Sequence, residues 1–228
     1  MSSGENRFNP TFLQAVLDTL DMIENDTDAA ALVMTSAHEK IFSNGIDLEW
    51  MIPVIKGGDT AAFTDFFDRL NGLFKRLLTY PMVTIAAING HAFAGGAIVC
   101  GAFDVRFMRS DRGFFCLPEV DLGIPFLPGM NALLKKAVPL STLIEMQLSG
   151  CRLTADQCQQ KGIVAKALHG DQLLPEALAY AKTIRKHRPV VAELKKRLYK
   201  DILQVLDDDD PPLIQSGRFN IDIPGVTF

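Results

Sequence analysis

The four cysteines of this 228-residue chain include no C-x-x-C pair, and its four histidines, His38, His91, His169 and His187, stand far apart. Zinc sites draw on closely spaced Cys and His ligands and small secreted folds on dense cysteine frameworks, so neither a metal site nor a disulfide scaffold is expected. Cys100, Cys116, Cys151 and Cys158 read instead as buried fillers in a reducing, cytoplasmic setting. Neither charge is in large excess: 23 Lys and Arg face 27 Asp and Glu, a net charge of −4 that supplies no whole-protein footprint for nucleic acid. Charge is missing altogether from Leu77 to Phe103, a stretch longer than the roughly 20 residues of a membrane span. Pro81, Asn89, Gly90, His91, Gly95 and Gly96 break that stretch with turn formers and polar groups, which suits a buried strand, a loop and a buried helix in a soluble protein with no membrane partner. Met1–Asn9 is polar and lacks the apolar centre of a secretory signal. A Walker loop, a dinucleotide fingerprint and a G-x-S-x-G elbow are also absent, and without the elbow a hydrolase pairing of Ser43 with His91 has no support.

What is present is a chain 48% hydrophobic, long enough to bury roughly 70–75% of its unfolded surface. Asn9-Pro10 is a helix start, followed by Phe12, Val16, Leu20 and Ile23 at helical spacing. Ala30–Thr35 and Val83–Ile88 are short apolar runs of the kind buried in parallel sheets. Ala61–Tyr80 carries a long apolar helical face, Asn89–Ala94 reads as a loop, and Gly95–Phe103 as a helix of small residues. Asp104–Arg109, Phe114–Pro118 and Ile163–Leu168 are further short strands; Val138–Ser149, Thr154–Lys161, Leu173–Arg188 and Val190–Leu206 are helices. Asp207–Asp210 with Pro211-Pro212 marks the end of regular structure as a solvated loop. Strands alternating with helices, with no repeat and no long linker, predict an α/β fold with a core domain over 1–188 and a helical segment over 189–228. The basic residues Lys182, Arg185, Lys186, Arg188, Lys195, Lys196, Arg197 and Lys200 in that region read as a solvated face or as contacts to an anionic ligand, and no interleaved aromatics point to RNA.

Three segments carry chemistry. In Ser43-Asn44-Gly45-Ile46-Asp47 a glycine turn delivers the chain into a helix start, where free N–H groups are available and Asp47 is placed to cap. In Gly90-His91-Ala92-Phe93-Ala94-Gly95-Gly96, glycines between a strand and a helix permit close backbone approach to a ligand. Two such amides on one oxygen form an oxyanion hole. The third, Phe114–Gly123, surrounds Glu119 with apolar residues, making it either a desolvated acid–base group or a strand-end carboxylate facing water. Asp121 shares its face if the strand continues.

The ordered motifs S-N-G-I-D, N-G-H-A-F-A-G-G, L-P-E-V-D-L-G-I and L-T-A-D-Q-C-Q-Q-K-G-I-V resemble those of the crotonase superfamily of enoyl-CoA hydratases and isomerases, over about Asn6 to Leu168. The resemblance implies a spiral of β-β-α units with a C-terminal helical region, assembled as a homotrimer or hexamer, acting on acyl-CoA thioesters in fatty acid metabolism with no cofactor beyond the coenzyme A of the substrate. It assigns the oxyanion amides to Ile46 and Gly95, and substrate binding to Ser43, Asn44, Gly45, Asp47, Leu48, Gly96 and Ile98. Hydratases of this family carry two glutamates; here Ile98 stands at the first position and only Glu119 remains, as in the Δ3-Δ2-enoyl-CoA isomerases, whose plant-type members the S-N-G and D-R-G-F wording is similar to. One carboxylate suffices to move a double bond from β,γ to α,β, whereas hydration calls on both. Hydration, decarboxylation, C–C cleavage and a binding-only role are the alternative readings. Members of the family also open with a β-hairpin that does not precede the first helix here, and Ile221–Phe228 matches none of its signatures and lacks a peroxisomal S-K-L ending.

Overall fold

In the computed structural model, which describes Met1 and residues 4–216, the first helix begins as its cap chemistry requires. The Asn9 side chain accepts the Phe12 N–H at 2.9 Å and Pro10 occupies the first helical position of α1 (Pro10–Asp26). The apolar runs then form strands in pairs. β1 (Ala31–Met34) and β2 (Ile41–Ser43) precede α2 (Leu48–Lys56) and α3 (Thr60–Leu78), and β3 (Val83–Ile88) and β4 (His91–Phe93) precede α4 (Gly95–Ala102). β5 (Val105–Arg109) and β6 (Phe115–Cys116) lead through a 3-10 turn at Pro118–Val120 to α5 (Pro128–Ala137) and α6 (Leu140–Ser149). β7 (Arg152–Leu153), α7 (Ala155–Gln160) and β8 (Lys166–Leu168) complete the sheets. After them come α8 (Gly170–Thr183), α9 (Arg188–Leu198), α10 (Lys200–Asp208) and α11 (Asp210–Ser216).

The first strand of each of the three pairs joins one sheet, which β8 completes in the order β1-β3-β5-β8, parallel throughout. The second strand joins another, which β7 completes in the order β2-β4-β6-β7, with only β7 antiparallel. Each of these three units therefore lays one strand on each sheet before its helix, and repetition of that step generates the α/β spiral. Helix α4 is buried along its whole length, and its small residues make this possible: a Cβ on Gly101 would lie 3.0 Å from the Leu133 carbonyl of α5. Helix α3 covers this core with Phe66, Leu70, Phe74 and Leu77, all fully buried. Trp50 tilts against Phe66 at 5.5 Å between ring centres.

Several local expectations are corrected. Residues 91–93 are a strand rather than loop, because β2 and β6 flank them and take up their backbone groups. Pro128-Gly129 opens a helix that apolar periodicity alone did not mark. Helix α8 ends at Thr183, and Arg188 belongs to the next helix, where Pro189 fits the first turn. The acidic run 207–210 is not a solvated loop: α10 continues to Asp208, and Asp210 starts α11 with its side chain fully buried. Its carboxylate accepts the Gly129 N–H at 2.8 Å and the Asn71 amide at 3.0 Å, tying α11 to the start of α5 and to α3. Lys195 also departs from the solvated face; it is buried, donates to the Met82 carbonyl at 2.8 Å and pairs with Asp104. Residues 217–228, including Ile221–Phe228, lie outside the described residues.

The Asp210 anchor is testable. Asp210→Ala leaves the Asn71 amide and the Gly129 N–H without their acceptor, at about 1–3 kcal/mol for each buried group so orphaned. Urea unfolding is expected to show a loss of about 2 kcal/mol or more; an unchanged midpoint would contradict the anchoring role.

Candidate active site

Three parallel strands, β2, β4 and β6, lie side by side and end at the same edge of their sheet, with Ser43 beside Ala92 and Phe93 beside Cys116. The chain leaving each strand at this carboxyl edge delivers one of the expected groups: Ile46 after β2, Gly95 after β4 and Glu119 after β6. The central strand carries Gly95, so the two amides and the carboxylate fall on neighbouring strands about 5 Å apart.

Glycine makes the approach between the first two possible. A Cβ on Gly45, which sits at φ +74°, would be 2.6 Å from the Gly95 nitrogen, and one on Gly96 would be 2.2 Å from the Ser43 carbonyl oxygen. Ala94, immediately before the helix, is held at φ +50° and ψ −126°, a conformation costing a non-glycine residue about 1–3 kcal/mol. That conformation ends the strand and sets the Gly95 amide at the first helical position, where it has no intrahelical acceptor. Among the described residues neither the Gly95 nor the Ile46 N–H donates to another group. Ile46 is fixed through its neighbours: Phe8 N–H donates to Gly45 O at 2.7 Å and Asp47 N–H to Phe8 O at 2.9 Å, a short parallel bridge.

The remaining residues of the first segment differ in what they touch. The Ser43 side chain is fully buried: the hydroxyl donates to Asn6 O at 2.7 Å and accepts the Gly45 N–H at 3.1 Å. This also removes it from any pairing with His91, which flanks Phe93 and Phe114 with Nδ1 buried and without a partner among the described residues. Asn44 donates to Glu5 at 2.9 Å, and Asp47 caps α2 by position while its carboxylate accepts from Asn9 at 3.0 Å. Leu48 opens α2 and is exposed; Ile98 lies in the core on α4. Sequence reasoning missed Asn6 and Phe8. Asn6, at φ +50° and buried, donates to Ser36 Oγ and Phe42 O, and the Phe8 ring packs against Gly95. The position of Asn6 just before a cap was the available signal, but its long-range partners were not visible.

Glu119 is 7% exposed, and burial pushes its carboxyl up to about 7. Its Oε2 is buried with no partner among the described residues. The strand does not continue to Asp121: the chain turns into the 3-10 segment after Leu117, leaving Asp121 exposed against Gly150 and off the face of Glu119. Buried Cys100, Cys116 and Cys158 are thiols driven well above their ordinary range by the same desolvation, fillers rather than nucleophiles. Two free amides beside one proton-holding carboxyl can stabilise an oxyanion while a neighbouring C–H proton is removed and returned.

The chain matches the family model described as enoyl-CoA hydratase/isomerase over residues 3–208. It is 32% identical to "Enoyl-CoA delta isomerase 2, peroxisomal" of Arabidopsis thaliana over 89% of this chain and 88% of that protein. It is 30% identical to "2,3-dehydroadipyl-CoA hydratase" of Escherichia coli over 89% of this chain and 76% of that protein. Its backbone superposes on the crystal structure of human mitochondrial delta3-delta2-enoyl-CoA isomerase with a TM-score of 0.80 at 25% identity, covering 92% of this chain and 82% of the other.

Burial of Glu119 has a thermodynamic signature. A carboxyl raised from 4.5 to about 7 on folding favours the native state below the unfolded value, and that contribution is lost as pH rises through 7. Glu119→Gln lacks the titration, so between about pH 4 and pH 8 it is expected to gain about 3 kcal/mol relative to the parent protein in urea unfolding. A gap that stays constant with pH would show that Glu119 is not desolvated.

Proposed function

The chain belongs to the enoyl-CoA hydratase/isomerase family, and we propose that within this family it is an isomerase that shifts a 3-enoyl-CoA to the 2-trans-enoyl-CoA. The observation that carries this reading is a single buried carboxyl, Glu119, at the edge shared with the Ile46 and Gly95 amides, while α4 presents Ile98 and no carboxylate. Ionised Glu119 takes a proton from the α carbon, the thioester oxygen gains charge, and the same carboxyl returns the proton at the γ carbon. The Ile46 and Gly95 N–H groups hold that oxygen, each donor of this kind contributing about 3–4 kcal/mol. The reaction consumes no water, and an all-apolar α4 favours its exclusion.

Asn44, Gly45, Asp47, Leu48 and Gly96 surround these amides and are the proposed contacts to the coenzyme A portion and the acyl chain; Ile98 lines the core side of the same helix. No cofactor beyond the carried coenzyme A enters the reaction. We further propose a homotrimer or hexamer, with 1–188 as the catalytic core and 189–228 as the assembly segment. Exposed stripes at Leu140, Ile144 and Leu148 on α6 and at Val190, Leu194 and Leu198 on α9 support it, being apolar at four-residue spacing with no cover among the described residues. Four free cysteines support the cytoplasmic placement. None of the described helices is long and apolar enough to cross a membrane.

Mixing the protein separately with a 3-enoyl-CoA and a 2-enoyl-CoA tests the assignment. Isomerisation is expected without comparable hydration, with kcat rising through about pH 7 as Glu119 ionises. Glu119→Gln should bind acyl-CoA with KM nearly unchanged and lose about 10²–10⁴ in kcat. Hydration at a rate rivalling isomerisation would overturn the isomerase reading in favour of the hydratase named among its relatives.

A further inference from the structure

We infer that Lys136 is a positioning residue for the Gly95 oxyanion donor, acting through helix α4 from its far end. The inference rests on the proposed role of the Gly95 amide. Two cationic side chains converge on the last turn of α4, and a third lies beside them. Lys136 of α5 donates to Gly101 O at 3.0 Å and Phe103 O at 2.8 Å. Arg106 of β5 donates to Phe103 O at 2.8 Å, Cys100 O at 3.2 Å and Ile163 O at 2.9 Å. Lys195 of α9 donates to the Met82 carbonyl and pairs with Asp104, the one carboxylate of the cluster.

Carbonyls at the end of a helix are its negative pole, and the amides at its start are the positive pole. Capping the negative pole with an excess of cations leaves the positive pole as the uncompensated end facing substrate. In α4 no polar side chain intervenes: its eight residues are Gly95, Gly96, Ala97, Ile98, Val99, Cys100, Gly101 and Ala102, all buried. Eight residues span about 12 Å. At that distance, with an effective dielectric constant near 20, one charge changes the stability of an anion at Gly95 by about tenfold.

Burial acts on both lysines of the cluster, and Lys136 is the one that donates to α4 itself and has no carboxylate partner among the described residues. Burial pulls its ammonium down to about 7, and repulsion from Arg106 and Lys195 works in the same direction while Asp104 opposes them. The Tyr199 ring covers it at 4.8 Å, and the Cys100 thiol, beside Arg106, stays protonated because its pKa is driven up to about 12. Of the groups facing Lys136, Tyr199 remains un-ionised, pushed up to about 12, and Lys195, though pulled down by its own burial, is held charged by its pairing with Asp104.

The test reads anion stability without turnover. Acetoacetyl-CoA is a β-ketoacyl thioester whose enolate absorbs in the near ultraviolet, and titrating that absorbance in the complex gives the apparent enolisation pKa. Lys136→Arg keeps the charge and Lys136→Met removes it; the Met variant is expected to enolise the bound probe about one pH unit higher, a tenfold loss, with probe affinity below that pH unchanged. The parent protein should follow the Arg variant below about pH 7 and the Met variant above it. Coincident titrations of the two variants would overturn the inference, as would a loss of affinity equal to the loss of enolisation, which is what a merely structural lysine produces. Should Lys136→Met not fold, the parent and Lys136→Arg compared above about pH 8 read the same difference, and coincidence there again overturns it. A protein that enolises the probe with this dependence but isomerises no 3-enoyl-CoA contradicts the proposed reaction and leaves the role of Lys136 standing.

Discussion

Everything at this site depends on one backbone-to-backbone contact, between the turn after β2 and the first turn of α4. Gly45 lies against the Gly95 nitrogen and Gly96 against the Ser43 carbonyl, closer than any side chain permits. The contact places two amides with no internal acceptor at the end of a parallel sheet, where the chain reverses and leaves free N–H groups. It is held from outside by the Phe8 bridge and the Asn6 hydrogen bonds and from within by strain at Ala94. Rigid backbone donors of this kind need no reorganisation when charge develops in front of them.

The acid–base half follows from a different force. Glu119 is raised toward neutrality by the apolar packing around its turn, and hydrogen bonding to other residues contributes nothing to that shift. A carboxyl poised near 7 exchanges protons with carbon acids far better than a solvated one at 4.5. Burial is expensive for stability and is confined to a turn anchored by the Ile124 N–H donating to Glu119 O at 3.0 Å. The α/β spiral thus brings backbone donors and a desolvated acid to one edge by stacking the same β-β-α step three times.

Much of this was legible in the sequence because local chemistry and global fold agree. Asn9-Pro10, the apolar face of α3, and Thr154 with its capping box to Gln157 all behave in the structure as their types dictate. The three glycine and glutamate segments follow neighbouring strands at one edge of their sheet. What escaped was long-range. Residues 91–93 are a strand only because two neighbours pair with them, and Asp210 is buried only because Asn71 and Gly129, distant in sequence, offer it donors. An acidic run followed by two prolines carries the same local signature whether it ends a fold or pins a helix. That the Ser43 hydroxyl closes its own turn was not legible either; a motif fixes which backbone is needed and says less about which way each side chain faces.

In the proposed reaction one carboxyl on one side of the substrate both removes and returns the proton. Stereochemistry tests it most directly. A 3-enoyl-CoA deuterated in one α position, turned over in parallel with unlabelled substrate in D2O, reports which face loses hydrogen at the α carbon and which face gains it at the γ carbon. Glu119 as the sole acid–base group predicts the same face at both carbons. Removal from one face and delivery to the other would contradict it and require a second group that this edge of the sheet does not provide.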